Sequence, residues 1–193
     1  MRSETETIFR SAADSARSVL ALLSFAVARF RYRRARGLKL NLGCGERRRD
    51  GYLNADIVRS GAADIRLDIS SPLPFPDNSA DAIEAYHLLE HLPRRKTAAV
   101  LKDWIRVLAP GGKLVVECPD LDAAMGRCLS GDAAGLDGIY GLQRYPGDTH
   151  FFGYNFPRLK RMLEEAGGRS VNLKPASDYH ATSEPCIRVE CTK

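Results

Sequence analysis

Two glycines flank a cysteine directly after a short apolar segment, in the run Leu42-Gly43-Cys44-Gly45. An aspartate, Asp56, ends the next apolar segment. Glycines at the carboxyl end of a strand let the backbone approach a ligand that side chains would exclude. An ionised aspartate accepts hydrogen bonds through two oxygens, which suits the two hydroxyls of a ribose. The pattern therefore predicts a nucleoside site at the edge of a sheet.

The spacing excludes a dinucleotide. That ligand would need G-x-G-x-x-G and an acid about 20 residues further on. Arg48 occupies the third glycine position, and Asp56 follows Gly45 by only eleven residues. A third apolar segment ends at Asp68 and Ile69, which adds a hydrogen-bond acceptor and an apolar wall. We therefore expect a nucleoside with a zwitterionic tail and no diphosphate.

Short apolar strands alternate with connections after residue 37, which predicts a mostly parallel, doubly wound α/β sheet. The predicted strands are residues 38–42, 52–57, 65–69, 82–86, 113–118, 170–173 and 186–191. Helical patterns cover residues 94–109, where Trp104 is expected in the core, and residues 157–166. A chain of 193 residues with 44% apolar content is long enough for one buried domain, residues 38–193. An N-terminal helical arm, residues 1–37, precedes it.

The positive charge of the chain is concentrated at its N-terminus. Residues 1–40 hold nine Lys and Arg against three acids, whereas residues 41–193 hold twenty against twenty-one. A nearly neutral domain argues against nucleic-acid binding, which draws much of its affinity from phosphate neutralisation. Five cysteines without a C-x-x-C pair predict neither a disulfide framework nor a zinc site. We therefore expect a reducing cytoplasm and no metal.

The arm has two interpretations. Its apolar run from Val19 to Phe30 is too short to span a bilayer and is followed at once by arginines. The first interpretation is a helix that packs on the domain or on a second subunit through Leu20, Leu23, Val27 and Phe30. The alternative is a peripheral contact with the inner face of a membrane through the arginines.

The chain from about Leu38 to its C-terminus resembles the class I S-adenosylmethionine-dependent methyltransferases. The shared signals, in order, are LNLGCG, GYLNADI, LDIS with LPFPDNSAD, HLLEHLP and VLAPGGKLVVECPD. The shortened first crossover and the segment IYGLQRYPGDTHFFGYNFPRLKRMLEEAG are similar to a bacterial subgroup of small methyltransferases often linked to surface-polysaccharide biosynthesis. The resemblance implies a Rossmann-like seven-stranded sheet, S-adenosylmethionine as cofactor and S-adenosylhomocysteine as product.

The resemblance also implies roles for individual residues. It places Gly43, Cys44 and Gly45 under the methionine portion and Asp56 on the ribose. It places Asp68 and Ile69 at the adenine, and Tyr86 or His87 facing the sulfonium. The cofactor-binding set is completed by Ile57 and Asn41. Because much of the family has an acid where this chain has Asn41, we expect a weaker or water-mediated contact with the cofactor's amino group. The arginines of residues 47–49 are expected to compensate through its carboxylate.

Methyl transfer from a sulfonium needs the donor and acceptor in line and removal of the acceptor's proton when it has one to lose. His150, in GDTHFFGYN, is the first candidate for the base, and His87 is the second. The residues expected to contact the substrate are Tyr140, Gln143, His150 and Tyr154. A tyrosine and glutamine pair suits a hydroxylated ligand such as a sugar. Glu90 and His91 either border the cleft or end a helix.

We expect O-methylation of a small molecule, glycan or nucleotide sugar, in the cytoplasm or at the inner face of the membrane. The end of the fourth strand, EAYHLLEH, lacks the [DNS]-P-P-[YFW] motif of methyltransferases acting on adenine or glutamine amino groups. Three alternatives remain open. They are an RNA or protein methyltransferase, a binding module without turnover, and a membrane-associated scaffold built on the arm.

Overall fold

The computed structural model describes residues 23–58, 60–145 and 147–193, and its centre is a seven-stranded sheet. The strands are β1 (Leu38–Leu42), β2 (Leu53–Asp56), β3 (Ile65–Arg66), β4 (Ala80–Tyr86), β5 (Leu108–Pro119), β6 (Arg169–Lys174) and β7 (Cys186–Thr192). Their order across the sheet is β3-β2-β1-β4-β5-β7-β6. Only β7 runs antiparallel to its neighbours. The predicted mostly parallel α/β sheet is confirmed.

The fifth strand begins earlier than the sequence pattern predicts. β5 starts at Leu108, directly after the preceding helix, because Leu108 already pairs with Ala80 of β4. A register shift before Lys113 then accommodates the Pro110–Gly112 turn, in which Gly111 has φ +77°. β3 in turn is two residues long rather than five, since the chain turns at Asp68.

Five helices accompany the sheet in the described part of the chain. They are α1 (residues 23–32), α2 (Arg94–Val107), α3 (Leu121–Leu129), α4 (Ala134–Tyr140) and α5 (Phe156–Glu165), with 3-10 turns at Leu89–His91 and Tyr179–Thr182. α2 buries Trp104 completely, which confirms its expected core position. α5 is preceded by a capping residue, Asn155, whose side chain accepts a hydrogen bond from the Arg158 backbone N–H.

The two faces of the sheet differ in chemistry. One face carries the core, with Leu40, Ile83 and Val116 packed in the same apolar cluster as the α2 side chains. Because side chains alternate along a strand, the intervening residues lie on the other face. That face is a polar band formed by Asn54, Asn41, Glu84, Tyr86, Glu117, Arg188 and Glu190, whose strands pair in register from β2 to β7.

The connection from β1 to β2, residues 43–52, contains turns and no helix, as the short spacing predicts. A buried amide holds this loop instead. The Asn54 side-chain oxygen accepts hydrogen bonds from Asn41 Nδ2 at 2.9 Å and from the Arg49 N–H at 2.8 Å. Its Nδ2 donates to the carbonyls of Arg49 and Tyr52. The loop backbone is therefore satisfied by a side chain where a helix would satisfy its own.

The arm packs through a different face from the one predicted. Leu23, Val27 and Phe30 are 57%, 65% and 68% exposed, so they do not pack on the domain, and their packing on a second subunit stays a prediction. α1 instead buries Ala28 and sets the Tyr32 ring edge-on against Phe75. Leu20 lies outside the described residues. None of the described helices combines the length and hydropathy needed to cross a membrane.

Candidate active site

The turn after β1 is built from two glycines with left-handed backbone angles, Gly43 at φ +68° and Gly45 at φ +54°. A Cβ on Gly43 would come within 2.6 Å of the Leu88 side chain, so this glycine is required for packing. A Cβ on Gly45 would project into open space, where a ligand can approach the backbone. Cys44 is buried with a pKa raised to about 11 by burial and then by Asp56, so it is a small thiol at this position.

Asp56, at the end of β2, faces this turn. Its Oδ2 accepts a hydrogen bond from the Gly45 N–H and its Oδ1 accepts one from the Val58 N–H, both at 2.8 Å. Each carboxylate oxygen keeps a second lone pair, so the group can still accept two hydroxyls. Asp56 therefore fixes the glycine turn while it remains able to bind a ribose.

The residues predicted for the adenine, Asp68 and Ile69, differ from each other in exposure, and the two apolar residues after β2 are exposed. Ile57 and Val58 are 54% and 64% exposed and present bare apolar side chains at the edge of the sheet. Ile69 is buried in the core, and Asp68 accepts the Ser70 N–H at 2.9 Å, which caps a turn. The exposed apolar surface is therefore at Ile57 and Val58. Val58 was missed by the sequence analysis.

Asn41 and the loop arginines make protein contacts in the structure. The Asn41 amide donates to Asn54, and its side chain is 6% exposed. Arg48 pairs with Asp64 at 2.6 Å, and Arg49 forms an ion pair with Glu84 on the polar band. These groups brace the glycine loop, and their predicted contacts with the cofactor's amino and carboxylate groups stay predictions.

Tyr86 and His87 close β4 at the same edge. The Tyr86 hydroxyl donates to Glu84 and accepts from Arg188 and Arg49, which anchors it to the polar band. His87 follows with φ +46°, an uncommon conformation for a residue with a side chain. This backbone turn sends the imidazole away from the direction of the strand.

The imidazole of His87 belongs to a stack of rings that the sequence analysis missed. The His180 ring lies 3.8 Å from the His87 ring, and Tyr179 lies 3.8 Å from His180 on its other side. The Arg47 guanidinium covers Tyr179 at 3.4 Å. The stack therefore joins the glycine loop to the 3-10 turn before β7 and covers the edge of the site.

A buried carboxylate holds the segment that carries Tyr179 and His180 in place over the edge of the site. Glu117 of β5 is fully buried, and its two oxygens accept three hydrogen bonds from the backbone N–H groups of Ser177 and Asp178, at 2.9 to 3.1 Å. Arg188 lies 3.6 Å away and adds an opposite charge. The segment leading into Tyr179 and His180 is thus fixed to the middle of the sheet. A lone glutamate inside the apolar run LVVECP was the available signal.

His87 also faces a second buried carboxylate. Its Nδ1 lies 3.3 Å from Glu90 Oε1, and its Nε2 lies 3.5 Å from Cys186 Sγ. Burial lowers the pKa of His87, but Cys186 and then Glu90 outweigh it and raise that pKa well above its ordinary value. A ring that holds its proton is poorly suited to accept another, so the structure favours a positioning role for His87 over the predicted base.

The residues predicted for the acceptor are only partly brought together. His150 is half-buried, and its Nδ1 donates to the Gly138 carbonyl at 3.1 Å. Tyr140 and Gln143 are exposed, and the Tyr140 carbonyl accepts the His150 backbone N–H. Tyr154 is fully buried, and its hydroxyl shares a hydrogen bond with Thr97, so it contributes to the core and does not line an open pocket.

Solved methyltransferases superpose on the chain. A SAM-dependent methyltransferase from Methanosarcina mazei is 19% identical with a TM-score of 0.58, covering 85% of this chain and 95% of that one. One from Archaeoglobus fulgidus is 16% identical with a TM-score of 0.59, covering 89% and 93%. The fold is that of a class I methyltransferase.

A family model described as a methyltransferase domain matches residues 51–116 of this methyltransferase fold, from just before β2 into β5. No curated protein matches the sequence. A phosphoethanolamine N-methyltransferase from Haemonchus contortus, solved with S-adenosylhomocysteine, is 10% identical with a TM-score of 0.52. It is covered over 50% of its length, against 82% of this chain.

The methyltransferase fold and the domain match support S-adenosylmethionine as the cofactor, and the residues present fit it. The open space at Gly45 admits a ligand against the backbone, and Asp56 keeps lone pairs for a ribose. Ile57 and Val58 offer an apolar surface for an adenine. The edge formed by β1, β2 and β4 thus holds complementary groups for each part of an adenosyl ligand.

The buried Glu117 is expected to hold the backbone of Ser177 and Asp178 in place. Glu117→Gln removes the charge and one acceptor oxygen, so the Ser177 and Asp178 amides should exchange hydrogen at least about tenfold faster. A tenfold change in exchange corresponds to about 1.4 kcal/mol of opening free energy, which is within the range of one hydrogen bond to a charged group. Exchange in α2 should not change. Glu190→Gln, on the same face of the sheet, is the matched control. Unchanged protection of both amides would show that other contacts hold the segment.

Proposed function

We propose that the protein is an S-adenosylmethionine-dependent methyltransferase that methylates an oxygen of a small hydroxylated acceptor, such as a glycan or a nucleotide sugar. The observation that carries the proposal is Asp56 bonded to the Gly45 turn at the edge of a class I methyltransferase sheet. When bound, S-adenosylmethionine supplies a methyl group carried on a sulfonium. A role in surface-polysaccharide biosynthesis follows from the sequence resemblance and belongs to the same proposal.

The protein's contribution is to hold the donor and to order the acceptor side. Asp56 accepts the ribose hydroxyls, while Ile57 and Val58 contact the adenine. The stack of Arg47, Tyr179 and His180 limits solvent access, because Glu117 keeps it fixed over the sheet edge. Holding the donor and the acceptor in a fixed arrangement supplies much of the reduction in activation free energy when one bound group displaces another.

His150 is the residue best placed to receive the acceptor's proton. Its Nδ1 donates to a carbonyl, which can only accept, so the Nε2 of the neutral ring carries the free lone pair. Tyr140 and Gln143 lie on the same connection after β5 and are exposed, as contacts to a hydroxylated ligand would be. A sugar hydroxyl is the acceptor that this polar set suits.

We also propose that α1 contacts an anionic membrane surface, which would place the enzyme at the inner face of the membrane in the cytoplasm. Leu23, Val27 and Phe30 are exposed on this helix. Five exposed arginines lie between or after these apolar residues, at positions 29, 31, 33, 34 and 36. Apolar side chains beside a dense positive charge are complementary to anionic lipid headgroups.

Donor binding is tested with Asp56→Ala. The loss of two charge-assisted hydrogen bonds to the ribose should weaken S-adenosylmethionine and S-adenosylhomocysteine binding by about 2 to 3 kcal/mol in calorimetric titration. Asp50→Ala, an exposed change in the same loop, is the control and should bind normally. Unfolding should be followed in both variants, since Asp56 also holds Gly45. Equal affinity in a folded Asp56→Ala variant would remove this residue from the site.

The acceptor class is tested by methyl uptake from labelled S-adenosylmethionine into nucleotide sugars, short glycans, RNA and protein. With the acceptor found, His150→Ala should lower turnover roughly 100-fold or more while donor affinity stays normal. Tyr145→Phe, on the same connection, should keep wild-type turnover. Uptake into RNA or protein alone would contradict the glycan proposal. Donor binding without uptake by any class would favour a binding module.

The membrane contact is tested by flotation with vesicles of phosphatidylcholine and phosphatidylglycerol. The wild type should float with the mixed vesicles and should remain at the bottom of the gradient when the vesicles contain phosphatidylcholine alone. Changing Leu23, Val27 and Phe30 to serine should abolish flotation, whereas Leu129→Ser, at an 89% exposed position, should not. If the triple variant instead converts a dimer to a monomer and flotation is absent throughout, this face binds a second copy of the chain.

A further inference from the structure

All four histidines of the chain gather at one edge of the sheet, although 93 residues separate the first from the last. His87 stacks on His180, and the His91 and His150 rings meet edge-on at 4.9 Å. The carboxylate of Glu90 connects the two pairs, because it faces His87 and also clusters with His91 and His150. The site already described uses His87, His150 and His180, so Glu90 and His91 remain without a role.

Glu90 is a buried carboxylate with no hydrogen bond. It is 2% exposed, and neither of its side-chain oxygens accepts a hydrogen bond from any described residue. The His87 Nδ1 lies within ion-pair distance of Oε1 only, and Oε2 has no partner among the described residues. Buried carboxylates are normally paired, hydrogen-bonded or bound to a metal. The unpartnered Oε2 therefore indicates room for a cationic ligand beside the His87 ion pair.

His91 and His150 each contact a backbone carbonyl through Nδ1. The Nδ1 of His91 lies 3.1 Å from the Thr149 carbonyl, and the Nδ1 of His150 lies 3.1 Å from the Gly138 carbonyl. Since a carbonyl can only accept, each Nδ1 carries the proton and each Nε2 keeps its lone pair. A backbone carbonyl bonded to the far ring nitrogen is the usual support of a metal-binding histidine.

We propose that Glu90, His91 and His150 bind a divalent transition-metal ion, with Zn²⁺ as the expected ion. One ring nitrogen of each histidine and one Glu90 oxygen all lie within 4.8 Å of one another. Ligands at about 2.1 Å from Zn²⁺ in tetrahedral geometry stand about 3.4 Å apart, so small side-chain rotations close the site. Two histidines and one carboxylate leave coordination positions open, as catalytic sites require.

A neighbouring cluster is less suited to an ion. His87 can be grouped with Glu184 and Cys186, or with Asp178 and His180. Its members already bond to one another, since His180 Nδ1 and Asp178 Oδ2 are 2.6 Å apart and Cys186 Sγ contacts His87 Nε2. The Glu90 cluster, by contrast, contains a carboxylate oxygen, Oε2, that has no partner among the described residues. The half-buried His91 and His150 rings also give an ion a route of entry.

An ion at this position would serve the acceptor. Its open positions can bind and acidify a hydroxyl of the substrate, and His150 is then a ligand instead of the base. This use of the ion rests on the proposed methyl transfer, whereas binding of Zn²⁺ itself does not. The two can therefore be tested separately on the same preparation.

The experiment titrates Zn²⁺ into the chelator-treated full chain by competition with a chromophoric chelator. We expect one ion per chain, and a loss of affinity of at least about 100-fold in Glu90→Gln and in His150→Gln, by removal of a ligand. His180→Gln and Cys186→Ser are the matched controls and should change affinity less than about threefold. The Co²⁺ form should show visible d–d absorption without a thiolate charge-transfer band. If Glu90→Gln does not fold, the half-buried His150→Gln decides.

Three results would overturn the metal site. They are no Zn²⁺ binding by the wild type, unchanged binding in folded His150→Gln, or binding lost only in His180→Gln or Cys186→Ser, which would assign the ion to the neighbouring cluster. S-adenosylhomocysteine affinity, measured on the same samples, separates the two proposals. Normal nucleoside binding with no Zn²⁺ binding removes the metal alone, and the reverse result removes the proposed donor site alone.

Discussion

The loop between β1 and β2 is held by side chains instead of helix hydrogen bonds, and the donor site depends on this constraint. The Asn54 amide forms hydrogen bonds with the backbone of Arg49 in the loop, while the Asp56 carboxylate accepts a hydrogen bond from the Gly45 N–H. Both residues belong to β2, so the loop and the next strand form one rigid unit. A carboxylate in this position orders the turn and faces the ligand at once. Loss of either group would therefore alter the shape of the site as well as its charge.

The same shortened connection explains the polar band on one face of the sheet. A face that receives no helix from this connection is not filled with apolar side chains, and the strands place paired acids and arginines there. Glu117 belongs to this band and is buried because the segment before β7 folds over it. The segment before β7 therefore depends on the polar face, since Glu117 of that face supplies the carboxylate that anchors it.

The sequence predicted the parts of the structure that follow from local pattern. The strand alternation, the absence of a helix between Gly45 and Asp56 and the core position of Trp104 are short-range features. The sequence-based predictions failed for residues whose surroundings are set by contacts with distant parts of the chain. Tyr154 belongs to an aromatic segment that suggested a pocket wall, yet Thr97 of α2 draws its hydroxyl into the core. The role of His180 depends on Glu117, 63 residues earlier in the chain, and no spacing rule connects them.

The histidine edge shows how charge constrains the chemistry available to this fold. Glu90 has no hydrogen-bond donor among the described residues, so its negative charge must be balanced by a protonated ring or by an ion. His87 supplies one positive charge but reaches one oxygen only. If an ion binds the other oxygen, the free lone pair of His150 is used for coordination and cannot remove a proton. Deprotonation of the acceptor would then depend on its own binding to the ion. The base and the metal ligand are therefore exclusive roles for this residue.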